Sequence, residues 1–188
     1  MARTKRFSAP WALTVWLGLS AALLTGCSTV SSTVGAMLEP EAVRPCPLIA
    51  PVGDAAKLTR FSGQGRDLTD VLFEAELTEV AGFCSYDGNL VQIESKVRFI
   101  ASRGPADTAR RAEFKYFVAV ATRDKAIKGR NVFSTVVEFP GNTTRAATVE
   151  ELEQEFTLAE GKSGEDYVIY VGFELTPDEV EFNRKQTQ

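Results

Sequence analysis

Four glutamates crowd one short stretch, at Glu150, Glu151, Glu153 and Glu155. Clustered carboxylates are the raw material of a cation site or of acid/base catalysis, but acid/base work needs two carboxyls in different surroundings. On a strand Glu151, Glu153 and Glu155 share one side, so a solvated strand face is the expected use. Gly63-Gln64-Gly65-Arg66 has the glycines of a phosphate loop. Such a loop opens a helix, and a strand pattern follows here instead, so a plain turn is expected. Histidine is absent from all 188 residues, which removes histidine-based triads, histidine general bases and the HExxH type of zinc site. The chain therefore reads as non-enzymatic, with no catalytic residue, no metal site and no cofactor.

The elements that would position any site are strands. Val71, Phe73, Ala75 and Leu77 alternate with Leu72, Glu74, Glu76 and Thr78, the pattern of a half-buried strand with a mostly acidic outer side. Asp87-Gly88-Asn89 can turn the chain, since these residues tolerate positive φ. Beyond it Val91, Ile93, Val97 and Phe99 alternate with Gln92, Glu94, Lys96 and Arg98, so an antiparallel hairpin is expected. After a break at Gly104-Pro105 come Phe114, Tyr116, Val118 and Val120, then a strand over about 132–139 that closes at Pro140-Gly141-Asn142. Residues 151–158 fit helical and strand spacings alike and are read as strand. Tyr167, Ile169, Val171, Phe173 and Leu175 form the clearest inward row.

With a poorer strand near Leu58–Ser62, about seven short strands result. The expectation is an all-β immunoglobulin- or fibronectin type III-like sandwich over residues 52–188, with a small β-barrel as the alternative. Thr176, Pro177 and Glu179 suit the cap, first position and capping-box position of a helix over 177–185, with Val180 or Phe182 packing back on the sheet.

Residues 1–26 divide into a basic start (Arg3, Lys5, Arg6), an apolar run from Trp11 to Leu24 and small residues before Cys27. This is the layout of a secretory signal, and the run is shorter than the roughly 20 residues of a spanning helix. Leu24-Thr25-Gly26-Cys27 resembles the lipobox of bacterial lipoproteins. The resemblance implies cleavage before Cys27, lipidation of its thiol and acylation of the new amine, with membrane residence through the acyl chains. Ser28, rather than aspartate, after the cysteine implies the outer membrane, with the domain facing the periplasm. A bacterial origin also leaves little weight on the glycosylation pattern at Asn142-Thr143-Thr144.

With Cys27 used in this way, Cys46 and Cys84 remain as a pair for a disulfide in an oxidising compartment. Its loop of about 39 residues corresponds to about 4 kcal/mol of chain entropy. Residues 27–51, rich in Ser, Thr, Ala and Pro, read as the lipidated cysteine and a tether whose far end that disulfide pins. Removing residues 1–26 lowers the net charge of −4 by three more, so the acidic body is a poor partner for nucleic acid.

Most aromatics fit inward strand positions, but Phe117 and Tyr170 break the outward polar rule. Either the tether and the C-terminal helix cover them, or they form a patch for an envelope protein partner. The stretch Leu175–Glu179, an aromatic strand running into "LTPDE", is similar to uncharacterised proteobacterial envelope lipoproteins. The combined expectation is a lipid-anchored, non-enzymatic interaction or structural module, with a periplasmic binder of a small apolar ligand as the alternative.

Overall fold

The computed structural model describes residues 43–186. The leader, Cys27 and the tether up to residue 42 lie outside the described residues. Eight strands follow in chain order: β1 (Leu48–Pro51), β2 (Lys57–Phe61), β3 (Val71–Asp87), β4 (Leu90–Arg103), β5 (Arg111–Thr122), β6 (Ile127–Glu138), β7 (Arg145–Thr157) and β8 (Tyr167–Phe173). One helix, α1 (Pro177–Gln186), ends the described chain.

The strands form two four-stranded sheets, ordered β1-β8-β5-β6 and β2-β3-β4-β7. No closed barrel forms: consecutive strands β6 and β7 lie in different sheets and stay unpaired, so each sheet keeps two edges. The barrel alternative is thereby corrected. So is the count of seven. Leu48–Pro51, which sequence assigns to the tether, is β1, paired in parallel with β8 from Leu48↔Val168 to Pro51↔Val171. Four residues bounded by prolines carry no readable alternation, and an edge strand tolerates a proline that a central strand would not. The sandwich thus begins before residue 52. Nor are all the strands short, since β3 has 17 residues and β4 has 14.

The length of β3 hides a change of phase. Val71, Phe73, Ala75 and Leu77 are buried, and then the register slips between Leu77 and Glu79 opposite β4. Thr78 is the extra residue of a bulge, which turns the following side chains over. Val80, Cys84 and Tyr86 therefore continue the inward side and pack against the core. Without the bulge Cys84 would face solvent. The β3–β4 hairpin turns through Gly88 and Asn89 as expected, with Gly88 at φ +59°.

Between the sheets lies a cluster of rings. Phe99 stands 5.3 Å from Phe114, 4.9 Å from Tyr116 and 5.4 Å from Phe173, centroid to centroid. Each buried ring contributes roughly 1.5–3 kcal/mol relative to exposure. The ambiguous segment is strand β7, with Leu152, Gln154 and Leu158 buried at alternate positions. In α1, Thr176 and Glu179 exchange the bonds of a capping box. Phe182 makes the main apolar contact, edge-on to Phe61 at 5.2 Å, and Asn183 donates to the carbonyls of Asp54 and Lys57. No helix among the described residues is long and apolar enough to cross a membrane.

Candidate interaction surface

The acidic cluster divides between the two sides of β7. Glu151, Glu153 and Glu155 point outward and are exposed; Lys96 pairs with Glu151 at 2.7 Å, and Gln92 donates to Glu155 at 2.8 Å. The hydrogen bond and charge of Lys96 hold the Glu151 carboxyl below the usual range. Glu150 points the other way and accepts hydrogen bonds from the hydroxyls of Thr135 at 2.6 Å and Thr148 at 3.3 Å. Burial, with the nearby Glu150 charge, pushes the Tyr116 hydroxyl up to about 12, so it stays protonated at neutral pH. Glu150 is thus the inward member of the four, and it ties β7 to β6 across the open side of the sandwich. Among the described residues no group of three acidic, cysteine or histidine side chains could hold a metal ion. The Gly63–Arg66 stretch is a turn, with Gly63 at φ +74°, leading into the short 3-10 turn Leu68–Asp70 and then β3 rather than into an α-helix.

Cys46 and Cys84 are bonded, with Cα atoms 5.7 Å apart. The staple is one of several clamps on the segment leading into β1. The Arg44 guanidinium lies over the Tyr86 ring at 3.9 Å, and the Tyr86 hydroxyl donates to the Pro45 carbonyl. Gly164 is buried against the same place: a Cβ there would meet the Tyr86 hydroxyl, the Pro45 carbonyl and Pro47 Cδ. Residues 44–49 therefore run beside the far half of β3, which β2 leaves unpaired because it reaches only Glu76. The lead-in meets that half of β3 on its inward side, through Cys84, Tyr86 and Gly82.

Phe117 and Tyr170 share the outer face of the first sheet, as diagonal neighbours: Phe117 is opposite Gly172 on β8, and Tyr170 is opposite Ala119 on β5. Both are half-buried. The Phe117 ring is held between the Arg130 guanidinium, 4.6 Å from its centroid, and the bare backbone of Gly172, where a Cβ would stand 3.1 Å from the ring. Arg130 in turn pairs with Glu174. The expected covers are elsewhere: α1 packs on β2 and the Gly53–Ala55 turn, and the end of the tether has become β1. Around the two aromatics the face carries Leu48, Ile127 and Val132, exposed by 60%, 63% and 45%, and Val136, exposed by 40%, lies further along β6 opposite Glu113.

Sequence reading missed these four. Inward Thr135 blurs the phase of β6, and Leu48 sits in a strand too short to show one. The outer face of the second sheet differs, carrying Glu74, Glu76, Glu79, Glu94 and the three β7 glutamates. A hollow of about 840 Å³ also lies on that outer face, between α1 and the Arg66–Leu68 loop, over Phe61 and Phe182. A smaller hollow of about 450 Å³ opens between the lead-in to β1 and the far half of β3, lined by Ile49, Val80, Gly82, Cys84 and Ile93.

No family model matches the chain, and no curated protein matches it. Among solved structures, the chain is similar to the variable domain of the AgI/II polypeptide BspA of Streptococcus agalactiae. Identity is 11% over 67% of this chain and 77% of that one, with a TM-score of 0.21, and a likeness so slight carries no argument.

Proposed function

We propose that this protein is a lipid-anchored lipoprotein of the cell envelope, held through Cys27 at the outer membrane and facing the periplasm. Its sandwich serves there as a non-enzymatic interaction or structural module. The observation that carries this reading is the outer face of the first sheet, where Tyr170 and Phe117 are flanked by exposed Leu48, Ile127 and Val132. Contiguous exposed apolar surface of this kind marks a partner site. The partner of that face is an envelope protein with a complementary apolar surface.

The stapled lead-in supports the anchor reading. A force applied through the tether reaches Cys46 and is passed to β3, a strand paired with β4 from Phe73 to Asp87, before it reaches four-residue β1. The sandwich itself we read as fibronectin type III-like. β3, β4 and β7 stand in the A-B-E order and β6, β5 and β8 in the C′-C-F order, with β1 in the place of the last strand.

The test is crosslinking in intact envelopes, with capture of the protein and of its Tyr170→Glu variant, beside the intact mass of the mature chain. A partner enriched with the natural chain and lost with the variant, on a chain whose Cys27 carries lipid, is expected. A bare Cys27, or enrichment no greater than that of an unrelated lipidated domain, would overturn the proposal.

A further inference from the structure

The open edge of the first sheet is β6, and the direction of its backbone groups can be read from the ladder. Phe139 N–H donates to the Arg110 carbonyl at 2.9 Å, so the odd-numbered residues of the Arg111–Glu138 register bond to β5. The even-numbered residues Arg130, Val132, Ser134, Val136 and Glu138 therefore aim their N–H and C=O groups away from the sheet. Among the described residues these groups have no backbone partner. All five residues are exposed, and their side chains lie on the outer face.

From Asn131 to Val137 this edge carries no charge, whereas natural edges are usually blunted by charge, proline or a covering segment. The corresponding edge of the second sheet, β7, is blunted by glutamates. An exposed, uncharged, outward-bonding edge is a template for strand addition.

We infer that β6 pairs with β6 of a second copy of this chain, antiparallel about a two-fold axis at Ser134, joining two first sheets into one continuous sheet of eight strands. The choice of partner and of register comes from the sequence of the edge itself. Centring on Ser134 sets Val132 against Val136 of the second copy, and Arg130 against its Glu138, once on each side of the axis. Both pairings join side chains on the same outer face, apolar with apolar and cation with anion. Sliding one copy by two residues puts Arg130 opposite Val136 or Pro140 and loses the match.

Every paired residue in this register is one whose backbone groups already point outward, so each pair exchanges two N–H···O bonds. The interface is isologous and closes at two copies. It shares Val132 with the face around Phe117 but uses neither Phe117 nor Tyr170, and it stands whether or not Cys27 carries lipid.

The register makes the test specific. A bonded antiparallel pair places its Cα atoms about 5.5 Å apart, within the reach of a disulfide, so Ser134→Cys in the full-length chain should link to itself under mild oxidation. Val132→Cys and Val136→Cys alone should not, because each lies roughly 14 Å from its own copy. The two mixed should link to each other. The unsubstituted chain serves as background for the natural cysteines. Val136→Lys added to Ser134→Cys should abolish the link while circular dichroism stays unchanged. The absence of a Ser134→Cys dimer, equal self-linking by Val132→Cys, or capture of a different protein at position 134 would each overturn the proposal.

Discussion

β6 and β7 follow one another in the chain and lie across the open side of the sandwich from each other, each the last strand of its sheet, yet their edges are built on opposite principles. On β7 the Leu158 N–H bond to Asn89 fixes the ladder so that odd-numbered residues carry the outward backbone groups. Glu151, Glu153 and Glu155 are among them. On β6 the corresponding residues are Arg130, Val132, Ser134, Val136 and Glu138. The glutamates that looked like a possible chemical site are therefore a charged guard on one edge, and the missing guard on the other is the more informative feature. Beyond the reach of β2, the far half of β3 instead carries on its inward side the segment that Cys46 staples to it.

The largest effect is expected at that staple. Replacing both Cys46 and Cys84 by Ser should cost about 4 kcal/mol from the loop it opens. It should also raise amide exchange over residues 80–86 while residues 71–76, still paired with β2, stay protected. Urea unfolding and hydrogen exchange together check this. Equal deprotection along all of β3 would mean that the lead-in does not protect the far half of the strand.

Next comes the loop that enters β5. Asp107 is buried, and although burial disfavours its charge, hydrogen bonds from Arg103 and from the backbone N–H groups of Ala109 and Arg110 hold its carboxyl below the usual range. A depressed folded-state value means that the stabilisation is present in full above the unfolded carboxyl value, about 3.9, and is lost as pH falls through the folded one. Asp107→Asn should cost about 2 kcal/mol at neutral pH. It should also flatten the loss of stability below about pH 4, as read from urea midpoints over a pH series. Because this loop turns the chain from β4 in one sheet into β5 in the other, both sheets should loosen together; loss confined to one sheet would contradict its linking role.

Much of this was legible from residue types, and the limits have physical causes. Alternation identifies Val71–Leu77, Val91–Phe99, Phe114–Val120 and Tyr167–Phe173 because each has one dry side and one wet side. The capping box at Thr176 and Glu179 is local chemistry, independent of the rest of the fold. β1 was not legible, since its pairing with β8 is to residues about 120 positions away and its own four residues bear no pattern. The bulge at Thr78 was hidden too: alternation holds on both sides of it, and only the opposing strand reveals the slip. At the surface, Phe117 and Tyr170 stood out as aromatics in the wrong phase. The edge of β6 did not, because an edge is a property of which strands lack neighbours, and order in a sheet is not order in the sequence.

The smallest expected effect separates fold stability from edge protection most cleanly. Glu153 on β7 stands directly opposite Glu94 on β4, and Phe83 on β3 completes the row. Like charges facing across a ladder are unfavourable, so Glu153→Val should stabilise the monomer slightly, by about 0.2–1 kcal/mol. The same substitution removes a charge from an open edge and adds a β-branched side chain suited to pairing. Self-association measured by sedimentation should therefore rise even as the urea midpoint rises. If stability falls instead, the Glu94–Glu153 pair is not a net repulsion; if stability rises without association, the β7 glutamates serve the sheet's wet face and not its edge.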